Sequence, residues 1–391
     1  MEDRFEKLDR LLDGFVEEGG IPGCAACIMQ DGKTVYEKYA GFADIESGKP
    51  IERNSMFRQF STTKLFSYVI FAMLYEEGKF LFSDPVGKYL PEWKSSRVFY
   101  RDAEGKLQIR PAEGPITVRQ AVNMTCGLPY CMFPEPDSDD PTVAAMSEKL
   151  TELLKNGVPV LADEVRAMSQ VPLMNEPGSH WFYGFGSEIM GAMIEKFEDM
   201  PLRETFIKRI AEPMGLENVD TFITDANRER VVTHYFKDEN GLTAAPADFN
   251  NQFDPAVTPA GARPNMLASA SDFCEFMQML ASGGTYKGRK YLSAGTVKML
   301  TENQLNAVQL GDFENDYLAG YGYGLGFRTL LTRKYGHNGN LGAFGWTGGS
   351  GIWAEADPES NSALIYMHNM FPNDELYYHH RFRAAAYGCL L

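Results

Sequence analysis

Segments with the composition of β-strands lie at both ends of the chain, and the long middle part is mostly helical. An Asp31-Gly32 pair, a strong hairpin signal, joins strand-like segments at about 22–30 and 33–41. Glycine- and aromatic-rich strand-like segments return after residue 320. Because a sheet buries its apolar face by pairing strands and packing helices on them, we expect the two ends to pair. We predict an α/β (α+β) fold: an antiparallel sheet flanked by helices, built from both chain ends, with a mostly helical domain inserted.

Helical periodicity sets the expected domain boundaries. We predict a discontinuous sheet domain of residues 1–80 and 265–391 and a mostly helical domain of residues 81–264. A cleft between two such domains is a common place for a binding site. The expected helices lie at about 4–18, 117–124, 143–155, 187–197, 202–211, 271–281 and 373–387, with a further apolar helix after residue 61.

Composition excludes several classes of protein. The 391 residues carry 53 acidic and 37 basic side chains, and the formal charge of -16 disfavours binding to nucleic acid. The longest apolar run, Leu65 to Leu74, is about half as long as a membrane span. The first residues, MEDRFEKLDR, lack the apolar region of a secretory signal. We therefore expect no nucleic-acid partner, no membrane partner and a cytoplasmic location.

The cysteines and histidines do not predict a metal or redox site. Cys24 and Cys27 form a C-x-x-C pattern, but residues three apart on a strand point to opposite faces, so we interpret them as core thiols. No histidine lies in an H-E-x-x-H pattern, and no G-x-S-x-G nucleophile elbow occurs. We expect no metal and no organic cofactor.

Ser61 and Lys64 form the only S-x-x-K sequence of the chain, in front of a strongly apolar helical segment. Side chains at positions i and i+3 of a helix lie on one face, so the two can meet. A serine hydroxyl needs a base beside it to act as a nucleophile, and a lysine whose pKa is lowered can serve. The free N–H groups of the first helical turn would stabilise negative charge near Ser61. The alternative is an ordinary helix start with a solvated lysine.

Further stretches accompany this pattern, and together they carry a resemblance. They are ITVRQAVNMTCGLP at 116–129, PGSHWFYGFGSEIMGAMIE at 177–195 and FGWTGGSGIW at 344–353. In this order they resemble the serine β-lactamase and penicillin-binding-protein superfamily along nearly the whole chain. The nearest members are class C-like: the β-lactamase-fold carboxylesterases, or family VIII esterases.

The resemblance implies a β-lactamase/transpeptidase-like fold and a serine hydrolase that works through an acyl-enzyme. It implies that Ser61 is the acylated nucleophile, that Lys64 is its general base and that Tyr183 moves a proton to or from the leaving group. Trp346-Thr347-Gly348 stands where penicillin-recognising members carry K-T-G. The backbone N–H groups of Ser61 and Gly349 would then form the oxyanion hole.

Two departures from the family pattern favour a neutral ester. The asparagine of the Y-x-N motif is missing from Tyr183-Gly184-Phe185, and Trp346 replaces the lysine that gives positive charge for a substrate carboxylate. Some relatives carry a histidine in the third motif, and an alternative alignment would place His337 there. The residues expected to bind substrate are Trp346, Gly348, Tyr130, Phe133, Trp181 and Phe344, with packing in the core as the alternative for the aromatic ones.

We therefore predict a carboxylesterase that cleaves small neutral esters, with the small-molecule substrate as its expected partner. The alternatives with the same chemistry are a β-lactamase or D-amino-acid peptidase, another amide hydrolase, and an acyltransferase. A catalytically silent binding protein on this fold is the non-enzymatic alternative. The sequence does not indicate an oligomeric state.

Overall fold

A computed structural model describes residues 4–18, 20–131 and 134–390 of the chain. The α-helices of these residues are α1 (Glu6–Glu17), α2 (Thr63–Glu76), α3 (Val118–Val122), α4 (Pro141–Leu154), α5 (Leu161–Met168), α6 (Gly186–Glu198), α7 (Leu202–Phe206), α8 (Glu212–Met214), α9 (Ala270–Ala281), α10 (Ala294–Thr301), α11 (Ala307–Phe313) and α12 (Glu375–Tyr387). The strands are β1 (Gly23–Gln30), β2 (Lys33–Asp44), β3 (Lys49–Pro50), β4 (Phe57–Arg58), β5 (Arg97–Arg101), β6 (Leu107–Pro111), β7 (Val219–Asp220), β8 (Tyr235–Asp238), β9 (Gly241–Ala244), β10 (Leu267–Ala268), β11 (Thr285–Tyr286), β12 (Arg289–Lys290), β13 (Tyr321–Tyr323), β14 (Arg328–Leu330), β15 (Phe344–Gly348), β16 (Ile352–Asp357), β17 (Ser362–Met367) and β18 (Met370–Phe371).

The main sheet joins the two ends of the chain, as predicted. Its strand order is β13-β14-β15-β16-β17-β1-β2-β3, and neighbouring strands are antiparallel. The ends meet where β1 pairs with β17, with Ala25 opposite Met367. Asp31 and Gly32 join β1 to β2 with φ values of 53° and 74°, which are those of a two-residue hairpin turn. The predicted mixed fold with an antiparallel sheet is confirmed.

Apolar clusters cover both faces of this sheet. Helix α9 packs against β1, β16 and β17 on one face, and α1 and α12 pack together on the other. Cys24 belongs to the cluster with α1 and Cys27 to the cluster with α2, so the two thiols point to opposite faces as predicted. Within the described ranges, no three or more His, Cys, Asp and Glu side chains are grouped so that they could hold a metal ion. No helix in these ranges has the length and apolar character needed to cross a membrane.

Helix α2 lies at the junction of the sheet and the helices inserted in mid-chain. It contacts α6, α7 and α10 as well as β15. Every residue from Leu65 to Leu74 is buried, which is the expected environment of a helix that is apolar on all sides. The start of α2, where Ser61 and Lys64 lie, is therefore held by both parts of the molecule.

The middle of the chain is not purely helical. Strand β7 pairs with β10, which also pairs with β4, and β8 pairs with β18 near the C-terminus. The predicted helical domain, residues 81–264, thus contains strands attached to segments predicted to belong to the sheet domain. Such strands are two to four residues long, too short for their periodicity to be visible in the sequence.

Candidate active site

Ser61 lies in a 3-10 turn, Phe60–Thr62, that leads directly into α2. The N–H of Gln59 donates to the carbonyl of Met266 at 2.8 Å, and the Thr62 hydroxyl donates to the carbonyl of Gln59 at 2.7 Å. Phe60 has a φ of 46°, a conformation that costs a non-glycine residue on the order of 1–3 kcal/mol. The bonds on either side hold this turn in place, and it leaves Ser61 half-buried at the edge of a cavity.

Lys64 lies between two tyrosines. Its Nζ is 5.1 Å from the ring centroid of Tyr130 and 5.2 Å from that of Tyr183, and the two rings are 5.4 Å apart. Burial lowers the pKa of Lys64, but the phenol groups of both tyrosines and the carboxylate of Glu188 outweigh burial and raise it above its ordinary value. Lys64 is therefore an ammonium ion at neutral pH.

The cavity beside Ser61 has a volume of about 330 Å³. Ser61, Lys64 and Tyr130 form one part of its wall. This volume is at the lower end of small-molecule sites, roughly 300–1,000 Å³, so the cavity holds one small organic group. Its apolar lining includes Phe60 beside Ser61 and, farther away in sequence, Leu150, Leu154, Val158, Leu161 and Leu202.

A buried ion network forms another wall of the cavity. Arg263 Nε donates to a carboxylate oxygen of Glu164 at 2.7 Å, Arg263 Nη2 pairs with the other oxygen, and Arg263 Nη1 lies 3.6 Å from Glu188 Oε1. Glu188 Oε2 also accepts the Ser187 hydroxyl at 2.7 Å. Burial lowers the pKa of Arg263, but Glu164 and Glu188 outweigh burial and raise it. Lys64 and Arg203 also line the cavity, so three cations and two anions surround it.

Strand β15 runs against the turn that carries Ser61. A Cβ atom added to Gly348 would lie 2.3 Å from the carbonyl oxygen of Gln59, so glycine alone permits this approach. Gly349 follows in the turn to β16, in which the N–H of Gly351 donates to the carbonyl of Gly348 at 3.0 Å. The structure thus brings Gly348 and Gly349 beside the turn of Ser61.

Asn369 ties these two turns together. The N–H of Arg58 donates to Asn369 Oδ1 at 3.2 Å, and Asn369 Nδ2 donates to the Ser350 hydroxyl at 3.2 Å. The Ser350 hydroxyl in turn donates to the carbonyl of Arg58 at 3.3 Å. Asn369 and Ser350 are fully buried, so the strand before Ser61 and the turn at Gly349 form one unit.

The aromatic residues predicted to bind substrate lie at different positions relative to the cavity. Tyr183 stacks on Trp346 with ring centroids 5.3 Å apart, and Trp181 lies 6.5 Å from Tyr183. Trp346 and Trp181 are 8% and 7% exposed, so they form a wall behind Tyr183. Of the predicted aromatics within the described ranges, Tyr130 lines the cavity beside Ser61 and the tryptophans do not.

Phe344 and His337 are not brought to this cavity. Phe344 is fully buried and packs against Phe327 with a centroid distance of 5.5 Å, because the far end of β15 is covered by the core. His337 packs against Tyr321, and its Nε2 is 2.8 Å from the carbonyl of Ala319. Trp346, not His337, therefore occupies the strand beside Ser61. Phe133, also predicted to bind substrate, lies outside the described residues.

Several residues of the site were missed in the sequence. Arg263 and Glu164 are 99 positions apart, and no local pattern connects them. Asn369 is likewise far from Ser61 in sequence. The sequence shows Glu188 close to the tyrosine motif, five positions after Tyr183 and in the first turn of α6. It does not indicate that Glu188 lies near Arg263.

Comparisons with known proteins identify a family for this chain. Residues 8–388 match the family model described as Beta-lactamase. Protein Rv1367c of Mycobacterium tuberculosis is 26% identical over 364 residues, which cover 90% of this chain and 86% of that protein. Esterase EstB of Burkholderia gladioli is 26% identical over 233 residues, 59% of this chain and 54% of the esterase.

Solved structures share the whole fold. The structure of EstCE1, described as a hydrolase with promiscuous acyltransferase activity, has a TM-score of 0.80 at 22% identity and covers 99% of both chains. A family VIII carboxylesterase has a TM-score of 0.69 at 19% identity, covering 99% of this chain and 98% of that one. The resemblance predicted from the sequence motifs is confirmed: this chain belongs to the Beta-lactamase family.

Proposed function

We propose that this protein is a serine hydrolase that cleaves small neutral esters through an acyl-enzyme on Ser61. The observation that carries the proposal is that Ser61, Lys64 and Tyr130 line one small cavity, with the Tyr183 ring also against Lys64 and the glycine turn after β15 beside the Ser61 turn. Acyl transfer needs a hydroxyl that attacks, a group that takes and returns its proton, and backbone N–H donors that stabilise the oxyanion. The serine, the lysine with its tyrosines, and the N–H groups can supply these three parts.

In the acylation step, Ser61 Oγ attacks the ester carbonyl carbon and loses its proton. The sequence suggested Lys64 as the acceptor, but the raised pKa of Lys64 favours its ammonium form. In this proposal Tyr183 accepts the proton as a phenolate, and the Lys64 ammonium stabilises the phenolate charge.

The N–H groups of Ser61 and Gly349 stabilise the oxyanion that forms on the carbonyl oxygen. Tyr183 then gives its proton to the alcohol oxygen as the ester C–O bond breaks, leaving the acyl group on Ser61. In the second step, water gives a proton to the same tyrosine and attacks the acyl carbon. The acid leaves, and Ser61 takes back its proton.

The charges around the cavity support a neutral substrate. Trp346 stacks on Tyr183 where penicillin-recognising members place a lysine. The two arginines of the cavity wall are already engaged: Arg263 is paired with two carboxylates, and Arg203 donates to the backbone carbonyls of Thr221 and Arg263. A substrate carboxylate would have to break one of these pairs, which is costly for a buried charge.

Hydrolysis of p-nitrophenyl acetate and labelling by a small fluorophosphonate test the proposal. Wild-type protein should gain one adduct by intact mass and release nitrophenol, and Ser61→Ala should do neither. Ser67→Ala is the matched control, because Ser67 lines the same cavity on α2 but lies farther along the helix. Labelling or activity that persists in Ser61→Ala would contradict the proposal.

Acyl transfer is the second candidate function. It is supported by the likeness to EstCE1, whose description includes promiscuous acyltransferase activity. An added alcohol should then take the acyl group faster than water does, seen as more ester product than free acid. Turnover of nitrocefin would instead favour the β-lactamase alternative.

The proposal includes a cytoplasmic location. It is supported by six buried cysteines spread thinly over a long chain, a usage typical of reducing compartments. Recovery of the protein outside the cytoplasm on cell fractionation would contradict it.

A further inference from the structure

Aromatic rings surround the Ser61 turn at the edge of the cavity, and one of them, Phe60, also lines the cavity. Phe60, Phe236, Phe249 and Phe371, here called the aromatic surface, come from separate parts of the chain. Phe60 lies 5.5 Å from Phe371 and 6.3 Å from Phe249, and Phe236 lies 5.6 Å from Phe249. Phe236 is 37% exposed, and the other three are half-buried. Their rings are therefore partly accessible.

The aromatic surface borders both sides of the expected oxyanion hole. Phe60 directly precedes Ser61, and Phe371 Cε1 lies 3.7 Å from where a Cβ atom on Gly349 would stand.

His234 packs beneath these rings. Its ring centroid is 4.6 Å from that of Phe371 and 4.7 Å from that of Phe249, and only 1% of the residue is exposed. Burial lowers its pKa to about 3, so the ring is neutral at ordinary pH. The surface thus offers aromatic faces and edges, with no charge from His234.

The directions of bonds at the reacting carbon assign this surface to one half of the substrate. In the tetrahedral intermediate the carbon holds Ser61 Oγ, the oxyanion, the leaving oxygen and the acyl group. The oxyanion faces the N–H groups of Ser61 and Gly349, and the leaving oxygen faces the tyrosines, one of which lines the cavity. The acyl group takes the remaining direction, toward Phe60 and Phe371.

We infer that the aromatic surface binds the acyl group of the ester and favours acids that carry a flat aromatic ring, while the alcohol enters the cavity. Aromatic pairs at centroid distances of 4.5–7 Å are stabilised by more than the burial of their apolar surface alone. The aromatic surface should therefore bind an aromatic ring more tightly than a small alkyl group. This inference rests on the proposed function.

Two isomeric esters test the inference. Methyl 3-phenylpropanoate carries the ring on its acid, and 2-phenylethyl acetate carries it on its alcohol. Wild-type protein should have the higher kcat/KM for methyl 3-phenylpropanoate. Phe249→Ala and Phe236→Ala should each lower the ratio of the two kcat/KM values by about five- to tenfold. Tyr100→Ala, which removes an exposed ring on β5, is the control and should leave the ratio unchanged.

The outcomes separate this inference from the proposed function. An unchanged ratio in both phenylalanine variants, or a loss confined to 2-phenylethyl acetate, would overturn the inference while Ser61-dependent hydrolysis of p-nitrophenyl acetate remained. Absence of Ser61-dependent hydrolysis of every ester would overturn both. Phe236 is 37% exposed, so its replacement should disturb folding less than that of Phe249. The Phe236→Ala variant therefore still reports on binding if Phe249→Ala fails to fold.

Discussion

Replacing His234 with phenylalanine is expected to stabilise the protein, most of all in acid. The His234 ring is packed among aromatic rings, and within the described part of the chain neither ring nitrogen has a hydrogen-bond partner. Burial, together with the charge of Arg58 and the nearby His368, lowers the pKa of His234 to about 3. Phenylalanine has nearly the same shape and removes both buried nitrogens.

The magnitude follows from the difference in pKa between the folded and unfolded states. An unfolded histidine has a pKa of about 6.5, so below that pH the unfolded chain binds a proton that the folded protein does not. Stability therefore falls as the pH falls. For a pKa shift from 6.5 to about 3, the loss between pH 7.5 and 5.5 is about 1.4 kcal/mol for this one group.

Urea unfolding at pH 7.5 and 5.5, followed by fluorescence, measures this difference. His234→Phe should lose about 1.4 kcal/mol less than the wild type between the two pH values, and it should be at least as stable at pH 7.5 because an unpaired buried polar atom costs about 1–3 kcal/mol. His180→Gln is the control for losing a surface histidine, since His180 is 40% exposed. Equal pH dependence in His234→Phe and the wild type would refute the reasoning.

Three further predictions concern the site. Asn369→Ala should lower kcat about tenfold or more with little change in KM, because it loosens the unit that holds the two N–H groups of the proposed oxyanion hole; steady-state kinetics that showed a change in KM alone would contradict this role. Glu188→Gln removes a negative charge that raises the pKa of Lys64, so the alkaline limb of the kcat/KM profile, where the Lys64 ammonium loses its proton, should move to lower pH; an unmoved limb would rule this out. Gly348→Ala should abolish ester hydrolysis because its Cβ atom meets the nucleophile turn, whereas Gly311→Ala, with open space around it, should keep full activity.

The sequence by itself determined the features that depend on near neighbours. The Asp31-Gly32 hairpin, the amphipathic helix α1 and the S-x-x-K turn in front of α2 follow from side chains within a few positions of one another, because turn geometry and helical periodicity are local. The strand-like character of both ends also predicted that they share a sheet. The motif order predicted the family, which the comparisons confirmed.

Only the tertiary structure decided which of these residues meet, and what surrounds them. The Arg263–Glu164–Glu188 network, the Asn369 link and the aromatic surface each join side chains that are far apart in sequence. Patterns of composition also could not tell a core aromatic from one at the cavity, so Phe344 and Tyr130 looked alike. The physical reason is that burial and charge at a point depend on every element packed around it, and no periodicity in one segment records its distant neighbours.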